Sequence, residues 1–325
     1  MKSIDFRLVF ALFISLGMGF STLFASFWIP DKSKHANEMH LNLASLEPFS
    51  SLKLIKLKNG EVLPFDELIS QKKDQLVYRF QNQTIQLDLN QVLLENNKPK
   101  TEEKLVLLGS DRYGRDYLSR LVLGARVSLM AGFISILISL LIGGLLGLLA
   151  GYFGGFLDRI IMWIVNIMWS VPSLLLAIAI TLSLGKGMWQ VFLAIGLSMW
   201  VEVARVLRGK VMEERQKDYV LALQTLGIHD FKILFFYVLP NVFQPIIVIC
   251  AANFSTAILL EAGLSFLGIG AESPIPTWGK MIKNHYHDII LDKAYLALLP
   301  GFCILLLVLA FMSLGNYLKD KWTYN

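Results

Sequence analysis

RVLRGKVMEERQKDYVLALQTLGIHDFKILFFYVLP, residues 205–240, is a charged segment held between two long apolar ones. It is too polar to lie in lipid and too short to be a domain. Its centre, Asp218 to Gly227, predicts one short helix. Asp218 is placed to cap the start, and Gly227 to supply the left-handed residue that ends it. Asp230 starts a second helix that runs through Pro240 into the next apolar stretch. On the first helix Tyr219, Ala222, Leu223 and Leu226 form one apolar stripe, while Val220 and Leu221 put apolar groups on the opposite side. Such a helix is expected to be buried all round, partly against its own chain and partly in a groove of a partner.

The surrounding composition places the chain among membrane proteins. It has 325 residues, 55% of them apolar, and several uncharged runs long enough to cross a bilayer. The formal charge of +5 comes from basic residues beside apolar spans, which fits a positive-inside bias and gives no reason to invoke nucleic acid. Cys250 and Cys303 fall inside apolar runs and read as small buried hydrophobes.

Six spans are expected: Leu8–Ile29, Val127–Phe156, Ile160–Leu184 interrupted by Pro172, Met188–Leu207, Leu239–Leu260 ending at Glu261, and Ala294–Leu318. The first reads as an anchor rather than a cleaved signal, because its apolar run exceeds a signal core. Residues 31–108 are polar and predict a small β-rich insert. One hairpin pairs Leu52–Lys58 with Glu61–Phe65 around Asn59-Gly60, and another pairs Leu76–Gln81 with Thr84–Leu89 around Asn82-Gln83. Gly143, Gly147 and Gly151 recur on one face of the second span, a pattern that lets another helix approach closely. Asp158 and Arg159 mark a short turn, and Glu202 and Arg205 a local ion pair. Asn166 and Trp169 suit interhelical packing as well as a translocation path. His285 and His287 fall in a loop and are expected to be solvent-exposed rather than metal-bound.

Three stretches resemble the inner-membrane permease subunits of binding-protein-dependent ABC importers, most closely the second permease of the dipeptide, oligopeptide and nickel systems. The family's cytoplasmic signature has a Glu-Ala-Ala triplet, then a Gly, then a Leu-Pro. Tyr219, Val220, Ala222, Leu226, Gly227, Leu239, Pro240 and Asn241 match it, whereas Leu221, Leu223 and Tyr237 depart from the usual Glu, Ala and Ile. The second stretch is Gly109-Ser110-Asp111-Arg112-Tyr113-Gly114-Arg115-Asp116, continued by Ser119, Arg120, Gly124, Arg126, Ser128 and Leu129, and is assigned to an outer mouth. The third is Glu261 to Gly270 with Pro274 to Gly279. The resemblance implies an all-α polytopic protein of six transmembrane helices, the type I importer permease fold. Its parts are an N-terminal end and first helix (1–30), the periplasmic insert (31–108), and a permease domain (109–325) with its coupling loop at 205–238.

Function follows from the same likeness. The expected protein is a non-catalytic subunit that forms half of a path for di- or oligopeptides or a similar solute such as a nickel chelate. Its helix Tyr219–Gly227 would dock into a separate ATPase. No G-x-x-x-x-G-K-[ST] loop occurs, so ATP and Mg are expected on the partner ATPase subunits and no cofactor on this chain. The other expected partners are a second homologous permease in a heterodimer, a periplasmic or lipid-anchored substrate-binding protein, and membrane lipid. The expected location is the bacterial inner membrane, with both termini cytoplasmic. The competing class is an ATP-independent secondary transporter or channel, but the acids near the membrane, Glu202 and Glu261, stand at predicted span ends rather than inside.

Overall fold

Pro172 and the paired glycines Gly154 and Gly155 divide the apolar sequence into helices more than any charge does. The computed structural model describes residues 5–60, 62–71, 75–80, 83–95 and 98–323. The chain divides into two compact units, Ser26–Arg120 and a second made of Met1–Ala25 with Leu121–Asn325.

The chain opens with α1 (Phe6–Leu23) and the single turn α2 (Ala25–Trp28). The strands β1 (Ser50–Lys56), β2 (Val62–Phe65), β3 (Glu67–Gln71), β4 (Gln75–Phe80), β5 (Gln83–Asp88), β6 (Leu94–Glu95), β7 (Lys98–Pro99) and β8 (Thr101–Val106) follow. They build two antiparallel three-stranded sheets, ordered β2-β1-β8 and β3-β4-β5, and the small β6-β7 pair. Lys53 pairs with Phe65 across the Asn59-Gly60 turn, where Gly60 has φ +88° and its N–H meets the Leu57 carbonyl. Leu76 pairs with Leu87 in the next hairpin, where Gln83, expected in the turn, already belongs to β5; Gln81, Asn82 and Glu61 lie outside the described residues. Ile55, Leu57, Phe65, Leu76, Tyr78 and Val92 form the common core of this unit. The pairing of β1 with β8 joins segments too far apart in sequence for any local turn signal to announce.

The helical unit continues with α3 (Tyr117–Phe153), α4 (Gly155–Trp169), α5 (Ser173–Leu184), α6 (Met188–Arg215), α7 (Asp218–Thr225) and α8 (Asp230–Ile233). A π-helical turn (Leu234–Val238) and α9 (Leu239–Asn241) lead into α10 (Phe243–Leu267), α11 (Trp278–His285) and α12 (Tyr295–Thr323). Among the described residues, five helices are long and apolar enough to cross a bilayer. The pair α4–α5, bent by 91°, supplies a sixth if it is one span. The bend falls where Pro172 removes an N–H and pushes Val171 out of helical geometry. α1 lies along α12, and Arg7 bridges Asp5 and Asp320.

Three sequence boundaries shift. Asp158 and Arg159 are not a turn but belong to the start of α4, because the chain reverses earlier, at Gly154 (φ +65°) and Gly155 (φ +58°). The charged residues Arg205 to Arg215 do not end the fourth span: α6 runs straight through them. Glu261 does not terminate the fifth span. It is buried inside α10, which ends only at Gly268 in the left-handed conformation.

Candidate functional site

α7 is short and gains its stability from what it rests on. Its start differs from the expected cap: Lys217 holds the N-cap position without a side-chain bond, and Asp218 is the first helical residue, where its charge faces the positive end of the helix dipole. Its end is a Schellman motif. Gly227 has φ +73°, its N–H reaches the Gln224 carbonyl at 3.0 Å, and the Ile228 N–H reaches that of Leu223 at 3.2 Å. Leu223 and Ile228 pack into the same apolar cluster, which closes the motif with a hydrophobic contact.

The two faces of α7 divide differently from the sequence stripe. Val220 is fully buried against Leu148, Leu207, Val211, Ile233 and Leu234, and Tyr219 and Leu223 lean on the same cluster. Leu221 is 50% and Leu226 75% exposed, and Ala222 is exposed beside them. The outward face is therefore Leu221, Ala222 and Leu226: of the expected stripe, Tyr219 and Leu223 turn to the chain's own core, and Leu221 joins from the opposite side. The cause is the core formed by the ends of α3 and α6, which takes Val220 and so fixes the rotation of the helix.

Two tyrosine hydroxyls set that rotation further. Tyr219 donates to Glu214 Oε1 at 2.8 Å and accepts from Asn241 Nδ2 at 2.9 Å, tying α7 to the end of α6 and to α9. Burial, together with the Glu214 carboxylate, pushes the Tyr219 phenol above its ordinary value. Glu214 is itself buried and paired with Lys217 at 2.7 Å. Tyr152, 2% exposed at the end of α3, donates to Asp230 Oδ1 at 2.8 Å and receives Gln224 Nε2 at 3.5 Å. Tyr152 carries no sequence pattern, being one Tyr at a span end, and Asp230, expected only to start a helix, is its first residue after the His229 cap and also holds Tyr152.

Above this platform α3 and α6 touch closely. A Cβ on Gly143 would overlap the Trp200 carbonyl oxygen. One on Gly147 would stand 2.6 Å from that of Ala204, and one on Gly151 2.7 Å from that of Arg208. α4 is clamped to α6 by a forked pair, Arg208 Nε and Nη2 to the Asp158 carboxylate at 2.5 and 2.6 Å. Arg205 does not pair with Glu202. Its guanidinium lies over the Trp169 ring, 3.4 Å from the centroid, and Nη2 donates to Asn166 Oδ1 at 2.9 Å. Asn166 and Trp169 thus hold Arg205.

The Gly109–Asp116 stretch lies in the Ser26–Arg120 unit and makes structural bonds. The Asp111 carboxylate accepts from the Tyr113 and Arg115 N–H groups and from the Arg115 guanidinium at 2.6 Å. Asp116 caps α3 by accepting from the Ser119 N–H and hydroxyl. Gly109 (φ +74°) and Gly114 (φ +70°) sit where a Cβ would strike the Leu46 and His40 carbonyls. His285 is buried, not exposed, because it pairs with Asp288 Oδ2 at 2.6 Å, while His287 is exposed. Among the described residues no group of three potential ligands could hold a metal ion.

Residues 143–324 match the family described as binding-protein-dependent transport system inner membrane component. The dipeptide transport system permease protein of Alkalihalophilus pseudofirmus is 41% identical over 212 residues, 65% of this chain and 69% of that protein. The di/tripeptide permease of Pseudomonas aeruginosa is 44% identical over 214 residues, covering 66% and 70%. The glutathione permease of Salmonella typhimurium is 40% identical over 225 residues, covering 69% and 73%. Among solved structures, an inward-facing form of the MetNI methionine ABC transporter superposes with a TM-score of 0.53 at 17% identity, covering 62% of this chain and 96% of that one. At that identity the likeness concerns the fold.

Proposed function

This chain belongs to the inner membrane components of binding-protein-dependent transport systems, and from that premise we propose that it is the permease half of an ATP-driven importer of short peptides. A second, similar permease completes the path, and an external binding protein delivers cargo. α7 docks in a groove of an ATPase subunit that supplies ATP and Mg. α7 and both termini face the cytoplasm, and residues 31–108 face outward. The observation that carries this reading is the division of α7, with Val220 sunk in the chain's own core and Leu221, Ala222 and Leu226 left outward on a helix locked in place.

The same bonds define how motion passes on. A push on α7 reaches α6 through Tyr219 and Glu214, and α3 through Gln224 and Tyr152. From α6 it reaches α4 through Arg208–Asp158 and Arg205–Trp169, and so arrives at the bent α4–α5 pair. ATP-driven closure of the ATPases would bias this assembly between two packings, opening the path to one side at a time. None of these residues does chemistry. The test is uptake of a labelled dipeptide into proteoliposomes holding both permeases and the ATPases, with binding protein outside and ATP inside. Uptake that needs both ATP and binding protein is expected, and uptake indifferent to ATP would assign the chain to the secondary transporters.

A further inference from the structure

At the end of the helical unit remote from α7 lies a cleft of about 490 Å³ whose lining includes Lys186, Ser265, Glu272, Lys280, Lys283 and Asn284. Its position follows from connectivity. α10 leaves the α7 end at Phe243 and runs for 25 residues, a rise of about 37 Å, before reaching the cleft at Leu267. Lys186 lies in the α5–α6 loop, from which α6 sets out toward α7.

The cleft is built rather than incidental. α11 presents Lys280, Lys283 and Asn284 at the i, i+3, i+4 spacing of a single face, and sinks Trp278, Met281 and His285 on the other. That buried face is bolted down: Trp278 Nε1 donates to the Leu121 carbonyl at 2.9 Å, and the Thr277 hydroxyl caps the helix at the Lys280 N–H. Lys283 Nζ is held by the Leu267 carbonyl at 3.2 Å, and a Cβ at Gly268 would overlap that ammonium group. An ammonium has three donors, so Lys283 keeps donors for a ligand. Ser265 adds none, since its hydroxyl donates to the buried Glu261 carboxylate at 2.7 Å.

Three lysines, Lys186, Lys280 and Lys283, and one acidic residue, Glu272, therefore line a space within the range of about 300–1,000 Å³ typical of small-molecule sites. We propose that this cleft receives a short zwitterionic peptide, whose terminal carboxylate meets the lysines and whose terminal ammonium meets Glu272. The choice of occupant rests on the peptide-importer reading. The opposite charges among the lining residues favour a zwitterion over a simple anion, and the volume of about 490 Å³ suits a small solute. Cargo passing from a binding protein would be held here by its two ends, which every peptide has, so side chains would be tolerated broadly.

The experiment is amine-acylation footprinting of the two-permease complex in nanodiscs of zwitterionic lipid, read by mass spectrometry at Lys186, Lys280 and Lys283. Exposed Lys53 of the insert normalises reagent consumption. Millimolar dialanine is expected to cause loss of label at the three lysines. Dialanine amide is expected to cause none, and N-acetyl-dialanine a smaller loss than dialanine. The Glu272→Gln variant should abolish the difference between dialanine and N-acetyl-dialanine, and the double variant Lys280→Gln, Lys283→Gln should abolish protection of Lys186. Equal protection by the amide, no protection by dialanine, equal protection by inorganic phosphate, or protection only by anionic lipid or by the binding protein would each overturn the proposal. The footprint is read without ATP, so a failed transport reading, seen as absent ATP-dependent uptake, is distinguishable from a failed site.

Discussion

Gly227 shows how much one backbone conformation controls. Nothing lies within 4 Å of the Cβ it lacks, so a side chain there meets no neighbour and the cost is only that of φ +73°. Gly227→Asn should therefore be tolerated, whereas Gly227→Val should cost on the order of 1–2 kcal/mol and loosen the turn. Hydrogen exchange of the α7 amides should be faster in the Val variant and unchanged in the Asn variant. Gly147 is the opposite case, limited by contact and not by conformation: Gly147→Ala drives a methyl into the Ala204 backbone, while Gly144→Ala meets only Leu140, at 3.6 Å. The expected difference is about 1–3 kcal/mol, read as lower thermal stability of the Gly147 variant alone. Tyr152→Phe removes the donor to Asp230 and the acceptor for Gln224, and should cost about 1–2 kcal/mol, again as faster exchange in α7 and α8.

Elements were legible where local chemistry dictated them and less so where tertiary contacts did. The α7 helix, its Gly227 terminus, the hairpins after β1 and β4, and the break at Pro172 follow from residues within a few positions of each other. The orientation of α7 does not, since Val220 and Leu221 are equally apolar and only the core beneath decides which is buried. That changes which substitution is informative: a charge at Leu223 would disturb the chain's own core, whereas a charge at Leu226 leaves that core alone. Glu261 misled for a similar reason. A carboxylate near the end of an apolar run reads as a boundary, but the hydroxyls of Ser128 and Ser265 supply hydrogen bonds that let it remain within α10. α6 extends past its apolar part because Arg205 and Arg208 find partners on α4, which no hydropathy profile sees.

At the scale of the whole molecule, the signatures at 219–241 and 261–279 lie in the helical unit, whereas the Gly109–Asp116 stretch belongs to the β unit, which was otherwise legible mainly through its turn residues. The outward placement proposed for this unit predicts that a maleimide that cannot cross membranes labels Thr84→Cys in intact cells. Labelling only after permeabilisation would invert the topology. The central claim is that ATP-driven motion enters this chain through the exposed face of α7. Leu226→Glu tests it most directly, because Leu226 is the more exposed of the two leucines on that face and a charge buried there without a partner costs about 3–5 kcal/mol. In the reconstituted complex, the account predicts that Leu226→Glu still assembles with the second permease, yet loses uptake and the stimulation of ATP hydrolysis by loaded binding protein. Full uptake with normally stimulated hydrolysis in that variant would contradict it.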